Sequence, residues 1–331
     1  MRALVVEELA ADYAGCVVKD IPTPDPKPGE VLIQVKASAV NFPDLMQTRG
    51  EHQHKPNLPF TPGMELAGEI VKLGEGVAEG PGGWQVGDAV AGGSRTGGMA
   101  EYAVSPALAL HRKPEALSFG QAAGYQVAYL TAYVALVRRA QVEEGQWVLV
   151  HGAAGGVGLA CVDMARMLGC KVIAASASDD KLAIIEAEYA PDATVNVTKG
   201  FKDRVKELTG GRGADVIYDP VGGDVFDESV RCIAFNGAIL SIGFTSGRLP
   251  VLPVNYALIK GFSVMGVRAG EYGRQFPQKG RENNAAIWKM AQDGLVKPRV
   301  HEEYPLSGWQ AAFDTLADRK VVGKTVVRPD L

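Results

Sequence analysis

The chain has 331 residues, of which 47% are hydrophobic and 22% charged, and its formal net charge at pH 7 is -4. This balance is typical of a globular protein with one or two cores, and it excludes the basic surface that nucleic acid binding requires. No run approaches the ~18 consecutive apolar residues of a membrane-spanning helix, so we expect neither nucleic acid nor a membrane as a partner.

Two further features bear on location and metal binding. The start of the chain, MRALVVEELAADYAG, lacks the pattern of a signal peptide, which predicts a cytoplasmic protein. The four cysteines lie far apart and form no CxxC pair. They therefore indicate neither a disulfide framework nor a thiolate metal site.

The first hundred residues are divided by glycine and proline into short β-branched runs. Among these runs are VLIQVKAS, AGEIVKLG and GDAVAG. Such runs predict strands joined by turns, which is typical of a small, mostly β domain. From about Ser118 the pattern changes, because residues 118–142 have apolar residues at helical spacing and contain no proline.

From Trp147 onward, apolar strands alternate with helices, beginning WVLVHG, GVGLACVDMARMLG and KVIAASAS. Repeated βα units with continuous apolar strands indicate a parallel sheet covered on both faces. The last ~65 residues, which include the predicted closing strand GKTVVRP, are too few for a separate core. We therefore predict an α/β protein with a mostly β domain from 1–120 and 265–331, and a doubly wound domain from 121–264.

The strongest motif is WVLVHGAAGGVGLACVDMA, in which a strand, a glycine turn and a helix follow directly on each other. Glycine lets the backbone approach a pyrophosphate, and the N–H groups at the start of the helix stabilise its charge. The alternative, a purely structural turn, is disfavoured by the surrounding βα units. The predicted dinucleotide-binding residues of this turn are Gly152, Ala154, Gly155, Gly156, Val157 and Gly158.

The next strand predicts which dinucleotide is bound. An NAD site usually has a carboxylate there for the ribose hydroxyls, but this chain has Ser176, with Ser178 and Lys181 beyond it. Hydroxyls and an ammonium can donate hydrogen bonds to a 2′-phosphate, so we predict NADPH. Asp179 and Asp180 would oppose it if they turned inward, but both suit the start of the next helix. Lys181 has the alternative of a solvated helix charge.

Taken together, these motifs resemble the medium-chain dehydrogenase/reductase superfamily, and within it the zinc-free, zeta-crystallin-like quinone oxidoreductase branch. The more specific markers are NFPD, LPFTPGMELAGEI, GDAV, LTAYVAL and the glycine motif, so the likeness covers almost the whole chain. The resemblance implies a GroES-like catalytic domain built from both chain ends, an inserted Rossmann domain that binds NADPH, and an active site in the cleft between them.

The resemblance also implies where a metal would be held. Zinc-dependent members of the superfamily have a cysteine at the position of Asn41 and a His-Glu pair at Met64 and Glu65, and a third cysteine ligand is missing before LTAYVAL. Catalytic zinc needs three ligands of cysteine, histidine or carboxylate type. His52 and His54 are two candidates without an evident third. We therefore expect no metal.

Without a metal, reduction of a simple ketone is difficult because the developing alkoxide lacks a strong electrophile. A quinone or another conjugated carbonyl, such as a 2-alkenal or 2-alkenone, takes hydride at a carbon remote from oxygen and needs only hydrogen-bond donors. One alternative is an enoyl-CoA reductase of the acryloyl-CoA type. Its CoA phosphates would require a basic entrance, and the candidate residues are Arg49, Lys55, Arg268 and Arg274. The other is a non-catalytic NADPH-binding protein with a structural or regulatory role.

Four residues form the predicted catalytic set. By resemblance Asn41 lies beside the nicotinamide and the substrate, where its amide can donate to an enolate oxygen; alternatively it only stabilises a turn. Asp44 is expected to cap a helix or to orient a neighbour. His52 stands where many relatives have a tyrosine, and it is either a proton donor or a solvated loop residue. Arg268 holds a substrate or cofactor phosphate, or forms a surface salt bridge.

The remaining cofactor contacts are predicted at strand ends and on one helix. Thr131 resembles the residue that binds the nicotinamide carboxamide, and the alternative is a hydroxyl bonded to its own helical turn. Ligands of open α/β sheets bind at the carboxyl ends of strands. The residues predicted there are Val221, Gly243, Phe244 and Val267.

The run FSVMGV, residues 262–267, is expected to be the last strand of the parallel sheet. An apolar edge strand is an aggregation hazard unless it is covered. Pairing with a second copy across a two-fold axis removes that edge. We therefore predict a homodimer through residues 262–267.

Overall fold

The computed structural model describes all 331 residues, which form two compact units. Unit 1 consists of 1–126 and 298–331, and unit 2 consists of 127–297.

The N-terminal part of unit 1 is mostly β-structure, as the glycine and proline spacing predicts. Its elements are β1 (Arg2–Val6), β2 (Cys16–Asp20), β3 (Glu30–Val40), α1 (Phe42–Thr48), β4 (Glu65–Leu73), β5 (Ala89–Gly92), β6 (Tyr102–Pro106), β7 (Leu110–Arg112) and α2 (Phe119–Ala123). A 3-10 turn at Ala107–Ala109 precedes β7.

Unit 2 alternates strands and helices. Its elements are α3 (Gln126–Tyr133), β8 (Trp147–Val150), α4 (Gly156–Met167), β9 (Lys171–Ser176), α5 (Asp179–Tyr189), β10 (Ala193–Asn196), α6 (Lys202–Leu208), β11 (Ala214–Asp219), α7 (Gly223–Ser229), β12 (Ile233–Ser241), α8 (Val254–Lys260), β13 (Ser263–Gly266), α9 (Ala269–Gln275) and α10 (Pro277–Gln292). Helix α3 continues as a π-helix over Val134–Ala140, and Val197–Lys199 form a 3-10 turn.

The C-terminal segment returns to unit 1. It contains β14 (Val300–Pro305), a 3-10 turn (Leu306–Gly308), α11 (Trp309–Ala317) and β15 (Lys324–Arg328). Strand β15 joins the main sheet of unit 1, whose order is β14-β15-β3-β4-β5-β7, with β6 also paired to β3. Strands β1 and β2 form a separate antiparallel pair.

Strand pairing in unit 1 brings three chain segments to one end of the sheet. Strand β3 is antiparallel to both β15 and β4. Thr325 pairs with Val40, and Ala39 pairs with Glu65. Lys324, Asn41 and Glu65 therefore lie at the same end of the sheet.

The sheet of unit 2 is parallel, with the order β10-β9-β8-β11-β12-β13. Its central strand β8 is apolar, and Val148, Leu149 and Val150 are fully buried. Continuous burial of successive residues is what a strand covered on both faces requires. The doubly wound parallel sheet predicted from the βα alternation is confirmed.

The unit boundaries differ from the predicted 120/121 and 264/265. Residues 121–126 stay with unit 1 because α2 packs on β3 and β4. Residues 265–297 stay with unit 2 because β13 hydrogen bonds to β12, while α9 packs against α10 and the π-helix. Only the last 34 residues, 298–331, return to unit 1.

None of the helices combines the length and apolarity needed to cross a bilayer. All four cysteines are free thiols, and Cys161, Cys170 and Cys232 are buried.

Candidate functional site

Asn41 lies between the end of β3 and the start of α1, and only 6% of it is exposed. Its Nδ2 donates to Glu65 Oε2 at 2.9 Å. Its Oδ1 accepts from Lys324 Nζ at 2.5 Å, and the same ammonium lies 3.3 Å from Glu65 Oε2. The three side chains form a closed triangle, which we call the Asn41 triangle.

The partners of Asn41 determine the orientation of its amide. An ammonium can only donate and a carboxylate can only accept. The amide oxygen must therefore face Lys324, and the NH2 group must face Glu65. One N–H of that group is bonded to Glu65, and the other has no partner within the protein.

Asp44 stands directly beside this triangle and is fully buried. Its Oδ2 accepts from the backbone N–H of Asn41 at 2.8 Å, and its Oδ1 accepts from that of Gly63 at 3.1 Å. The helix-capping role predicted for Asp44 is confirmed, since it closes the first turn of α1. Burial raises the pKa of Asp44 to about 7, against the lowering effects of the two backbone hydrogen bonds and of Lys324.

His52 and His54 bond to each other in the loop after α1. The backbone N–H of His54 donates to His52 Nδ1 at 3.2 Å, and His54 O lies 3.3 Å from the same nitrogen. When His52 is neutral and accepts this bond, its proton is on Nε2. His52 is half-buried, so that Nε2–H remains a possible donor.

Two predicted residues of unit 2 have local partners. Thr131 Oγ1 donates to Val127 O at 2.7 Å, which is the helical back-bond given above as the alternative. Its oxygen can still accept a hydrogen bond. The Arg268 side chain is 64% exposed and lies 3.9 Å from Glu271, which is the surface ion pair given as its alternative.

The glycine turn of unit 2 leads from β8 into α4. The start of α4 has no side-chain cap, and the first N–H groups of an α-helix have no partner within the helix. A Cβ at Gly158 would lie 2.2 Å from Gly152 O, and Gly152 itself has a φ of +56°. Both glycines are therefore required for the turn to pack against α4. The first N–H groups of α4 then stay open to an anion.

The residues after β9 are arranged as a helix cap. Ser178 Oγ accepts from Lys181 N at 3.4 Å, and Ser176 Oγ accepts from Ser178 N at 3.4 Å. Asp179 accepts from Asn196 Nδ2 at 2.7 Å. Its carboxylate is thus bonded to the end of β10, the strand beside β9.

One of the residues predicted at the later strand ends, Val221, is held by a carboxylate that the sequence reasoning missed. Asp219, 2% exposed at the end of β11, accepts from the backbone N–H groups of Val221 and Gly222 at 2.8 and 2.9 Å. Burial raises the pKa of its carboxyl. Of the other residues in this set, Val267 N donates to Ser241 O, Gly243 lies close to Pro220 O, and Phe244 is 46% exposed.

Comparisons with known proteins match both units. A family model described as an alcohol dehydrogenase GroES-like domain matches residues 27–115, and one described as a zinc-binding dehydrogenase matches residues 156–282. The chain is 40% identical to a quinone oxidoreductase-like protein 2 homolog of Nematostella vectensis, over 98% of this chain and 88% of that protein. It belongs to the quinone oxidoreductase-like branch of the medium-chain dehydrogenase/reductase superfamily.

Two other members of the superfamily support this assignment. The quinone oxidoreductase of Homo sapiens is 31% identical over 96% of this chain and 94% of its own length. A mycobacterial protein solved in complex with NADPH is 30% identical, covers 99% of this chain and 100% of its own, and superposes with a TM-score of 0.88. The resemblance inferred from the motifs and the predicted GroES-like and Rossmann folds are therefore confirmed.

The zinc in the family description does not fit the side chains of this member. The oxygens of Asn41 and Glu65 are bonded to the Lys324 ammonium, and Met64 is a weak ligand for zinc. No three His, Cys, Asp or Glu side chains in the chain come together as a metal site. The ring of His52 contacts the backbone of His54.

Lys324 was also missed by the sequence reasoning, although it stands in the GKTVVRP motif that carries part of the resemblance. The available signal is the antiparallel pairing of the last strand with the strand that ends before Asn41. Because β15 runs antiparallel to β3, Lys324 at the start of β15 lies beside Asn41, the residue that follows β3. That pairing cannot be read from hydrophobic periodicity, which indicates strands but not their partners.

Proposed function

We propose that this chain is a zinc-independent, NADPH-dependent reductase of quinones and other conjugated carbonyls, such as 2-alkenals and 2-alkenones. The observation that carries this function is the Lys324 ammonium bonded to Asn41 and Glu65. It supplies a fixed cation to the two oxygens that a divalent metal would need. The quinone oxidoreductases among the relatives support the same acceptor class.

Unit 2 would hold the cofactor, which supplies a hydride when it is bound. The glycine turn and the open N-terminus of α4 suit a pyrophosphate. Ser176, Ser178 and Lys181 suit the 2′-phosphate of NADPH, because a serine stands at the end of β9 where an NAD site usually has a carboxylate. The NADPH complex of the mycobacterial relative supports this choice.

Unit 1 would supply hydrogen bonds to the acceptor. The free N–H of the Asn41 amide is a neutral donor, which suits an oxygen that gains charge by delocalisation. A simple ketone concentrates the charge as an alkoxide, which needs a stronger electrophile than one neutral donor. The site therefore favours quinones and enones over ketones and alcohols.

His52 and Asp44 are assigned separate roles. With Nδ1 bonded to the His54 backbone, His52 would donate the proton from Nε2. Asp44 bonds only to backbone N–H groups, so it orients the Asn41 loop and does not reach the acceptor.

The enoyl-CoA alternative is less well supported, because its candidate cations have other partners. Arg49 stacks on the ring of Tyr13 and donates to its hydroxyl. Arg268 and Arg274 both pair with Glu271, which leaves Lys55 as the remaining candidate in the set. Nothing in unit 1 specifically favours the non-catalytic alternative.

A panel assay tests the function. NADPH oxidation is followed with 1,2- and 1,4-quinones, 2-alkenals, 2-alkenones and enoyl-CoAs, with NADH as the comparison cofactor and metal analysis of the same sample. We expect turnover with quinones or enones, a preference for NADPH and no stoichiometric zinc. Faster turnover of enoyl-CoAs would select that alternative, and NADPH binding without any turnover would select the non-catalytic one.

We further propose that the protein is a homodimer through residues 262–267. Strand β13 is the edge of the parallel sheet, with Val264 41% exposed. The neighbouring helix α8 exposes Val254, Leu258 and Ile259 by 78%, 82% and 73%. An apolar surface of this kind on a sheet edge supports pairing with a second copy.

Light scattering at micromolar concentration tests the dimer, with a Leu258→Glu variant as the comparison. We expect a mass of twice the chain for the wild type and a single-chain mass for the variant. A monomeric wild type would contradict the dimer.

A further inference from the structure

Lys324 is the cation of the Asn41 triangle, and it is largely buried. Its side chain is 11% exposed, and that of its partner Glu65 is 3% exposed. An ion pair this deeply buried has lost most of its hydration, so it is kept only where its geometry is satisfied. Here the ammonium is satisfied by Glu65 and by the Asn41 amide oxygen.

Unit 1 is shaped to admit this side chain. A Cβ at Gly124 would lie 3.0 Å from Lys324 Cβ and 3.1 Å from Lys324 Cγ. Gly124 ends α2 with a φ of -88°, a value that any residue adopts. The glycine is therefore required by the neighbouring lysine stem and not by its own backbone.

The consequence falls on Asn41. Without the ammonium, the amide oxygen would lose its charged partner, and the orientation of the amide would be held less firmly. The second N–H would then point in no single direction. A donor that is misplaced by about 1 Å can lose most of its effect on a reacting oxygen.

We propose that Lys324 is a positioning residue for the reductase, in which its ammonium serves as a built-in cation that holds the Asn41 amide with one N–H directed to the acceptor. The effect of Lys324 on catalysis rests on the proposed function. Its effect on the orientation of the Asn41 amide does not. This role also explains the mismatch with the zinc-binding family description: a side-chain cation stands between the oxygens of Asn41 and Glu65, so the protein needs no metal there.

A double-mutant cycle tests the catalytic part. Lys324→Met removes the charge at similar length, Lys324→Arg keeps it, and Lys72→Met removes an exposed lysine that pairs with Asp25 as a matched control. We expect Lys324→Met to lower kcat with a quinone by roughly 10- to 100-fold and to leave the Kd for NADPH unchanged. Lys324→Arg should recover part of the loss, and Lys72→Met should match the wild type.

Asn41→Ala completes the cycle. If Lys324 acts through Asn41, Lys324→Met causes no further loss of kcat in the Asn41→Ala background. An equal loss in both backgrounds would overturn the role. Where Lys324→Met alone does not fold because the buried Glu65 carboxylate loses its cation, the neutral pair Lys324→Met with Glu65→Gln takes its place.

The orientation of the amide is tested without any turnover. The chain has seven asparagines, so selective 15N-asparagine labelling gives few side-chain signals, and Asn41→Ala identifies the one from Asn41. We expect slow hydrogen exchange of this amide in the wild type and in Lys324→Arg, and fast exchange in Lys324→Met. An unchanged signal in Lys324→Met overturns the inference. A Lys324-dependent signal in a protein that turns over no acceptor would reject the reductase and keep the orienting role.

Discussion

The Asn41 triangle of unit 1 and the glycine turn of unit 2 are built in opposite ways. The triangle consists of three side chains that bond to one another, two of them charged. The turn depends on side chains that are missing, because a Cβ at Gly158 would strike the carbonyl of Gly152. One region presents a chosen amide N–H, and the other presents backbone N–H groups at the start of α4.

This difference indicates how each region fails. At Gly158 of the glycine turn any added volume is harmful, whatever its chemistry, because the contact is with backbone that cannot move aside. In the Asn41 triangle volume matters less than the sense of each hydrogen bond, since a donor cannot replace an acceptor. Substitutions that separate volume from hydrogen-bonding sense therefore test the comparison.

The largest effect is expected from Gly158→Ala. The added methyl group would lie 2.2 Å from Gly152 O, so α4 must shift away from the turn. NADPH affinity, measured by fluorescence titration, should fall by about 100-fold or more. Gly270→Ala in α9 is the control, since its Cβ would meet only an Arg274 side-chain atom at 3.7 Å. Wild-type affinity in Gly158→Ala would show that the turn tolerates volume.

An intermediate effect is expected from Asp44→Asn, which keeps volume and removes the titrating group. Burial raises the pKa of Asp44 to about 7, above the value near 4 of an unfolded aspartate. As pH rises from about 4 to about 7, the unfolded chain loses this proton first, so the folded state loses stability over that window, by a few kcal/mol in total.

Denaturant unfolding at pH 5 and pH 8 measures this effect. The free energy of unfolding of the wild type relative to Asp44→Asn should fall between these two pH values, because only the wild type titrates there. Subtracting the variant cancels other buried carboxyl groups with raised pKa values, such as Asp163 and Asp219. A difference that stays constant, or that grows toward pH 8, would show that Asp44 is ionised throughout.

The smallest effect is expected from Lys181→Met, which tests a charge beside the glycine turn rather than the turn itself. Lys181 is half-buried, and burial lowers its pKa. If its ammonium binds the 2′-phosphate, the Kd for NADPH should rise about tenfold while that for NADH stays the same. Equal changes for both cofactors would instead assign Lys181 to the solvated face of α5.

Several parts of the molecule could be predicted from short stretches of sequence. The βα alternation predicts the parallel sheet, and the strand, glycine turn and helix predict the cradle at Gly152 to Gly158. Asp44 as a helix cap follows from its spacing to Asn41. These features depend on neighbours within a few residues, which is the range over which periodicity and capping patterns are informative.

Other parts could not be predicted in this way. The unit boundary lies after Lys297 rather than before residue 265, because β13 pairs with β12 instead of joining the other sheet. For Thr131 and Arg268 two uses were open, and the local partner is present in each case. Asp219 was not singled out because its acceptor role depends on the loop that folds back over it.

The sequence by itself determined the family, the two kinds of domain and the absence of the usual zinc ligands at Asn41 and Met64, because each is encoded by residue type at a local spacing. Only the tertiary structure decided which group lies beside Asn41 where a zinc-dependent relative would hold its metal. Lys324 is 283 residues away along the chain and reaches Asn41 because β15 pairs with β3. Strand pairing is a long-range choice set by packing of the whole sheet, and it converts a lysine near the end of the chain into the cation of the site.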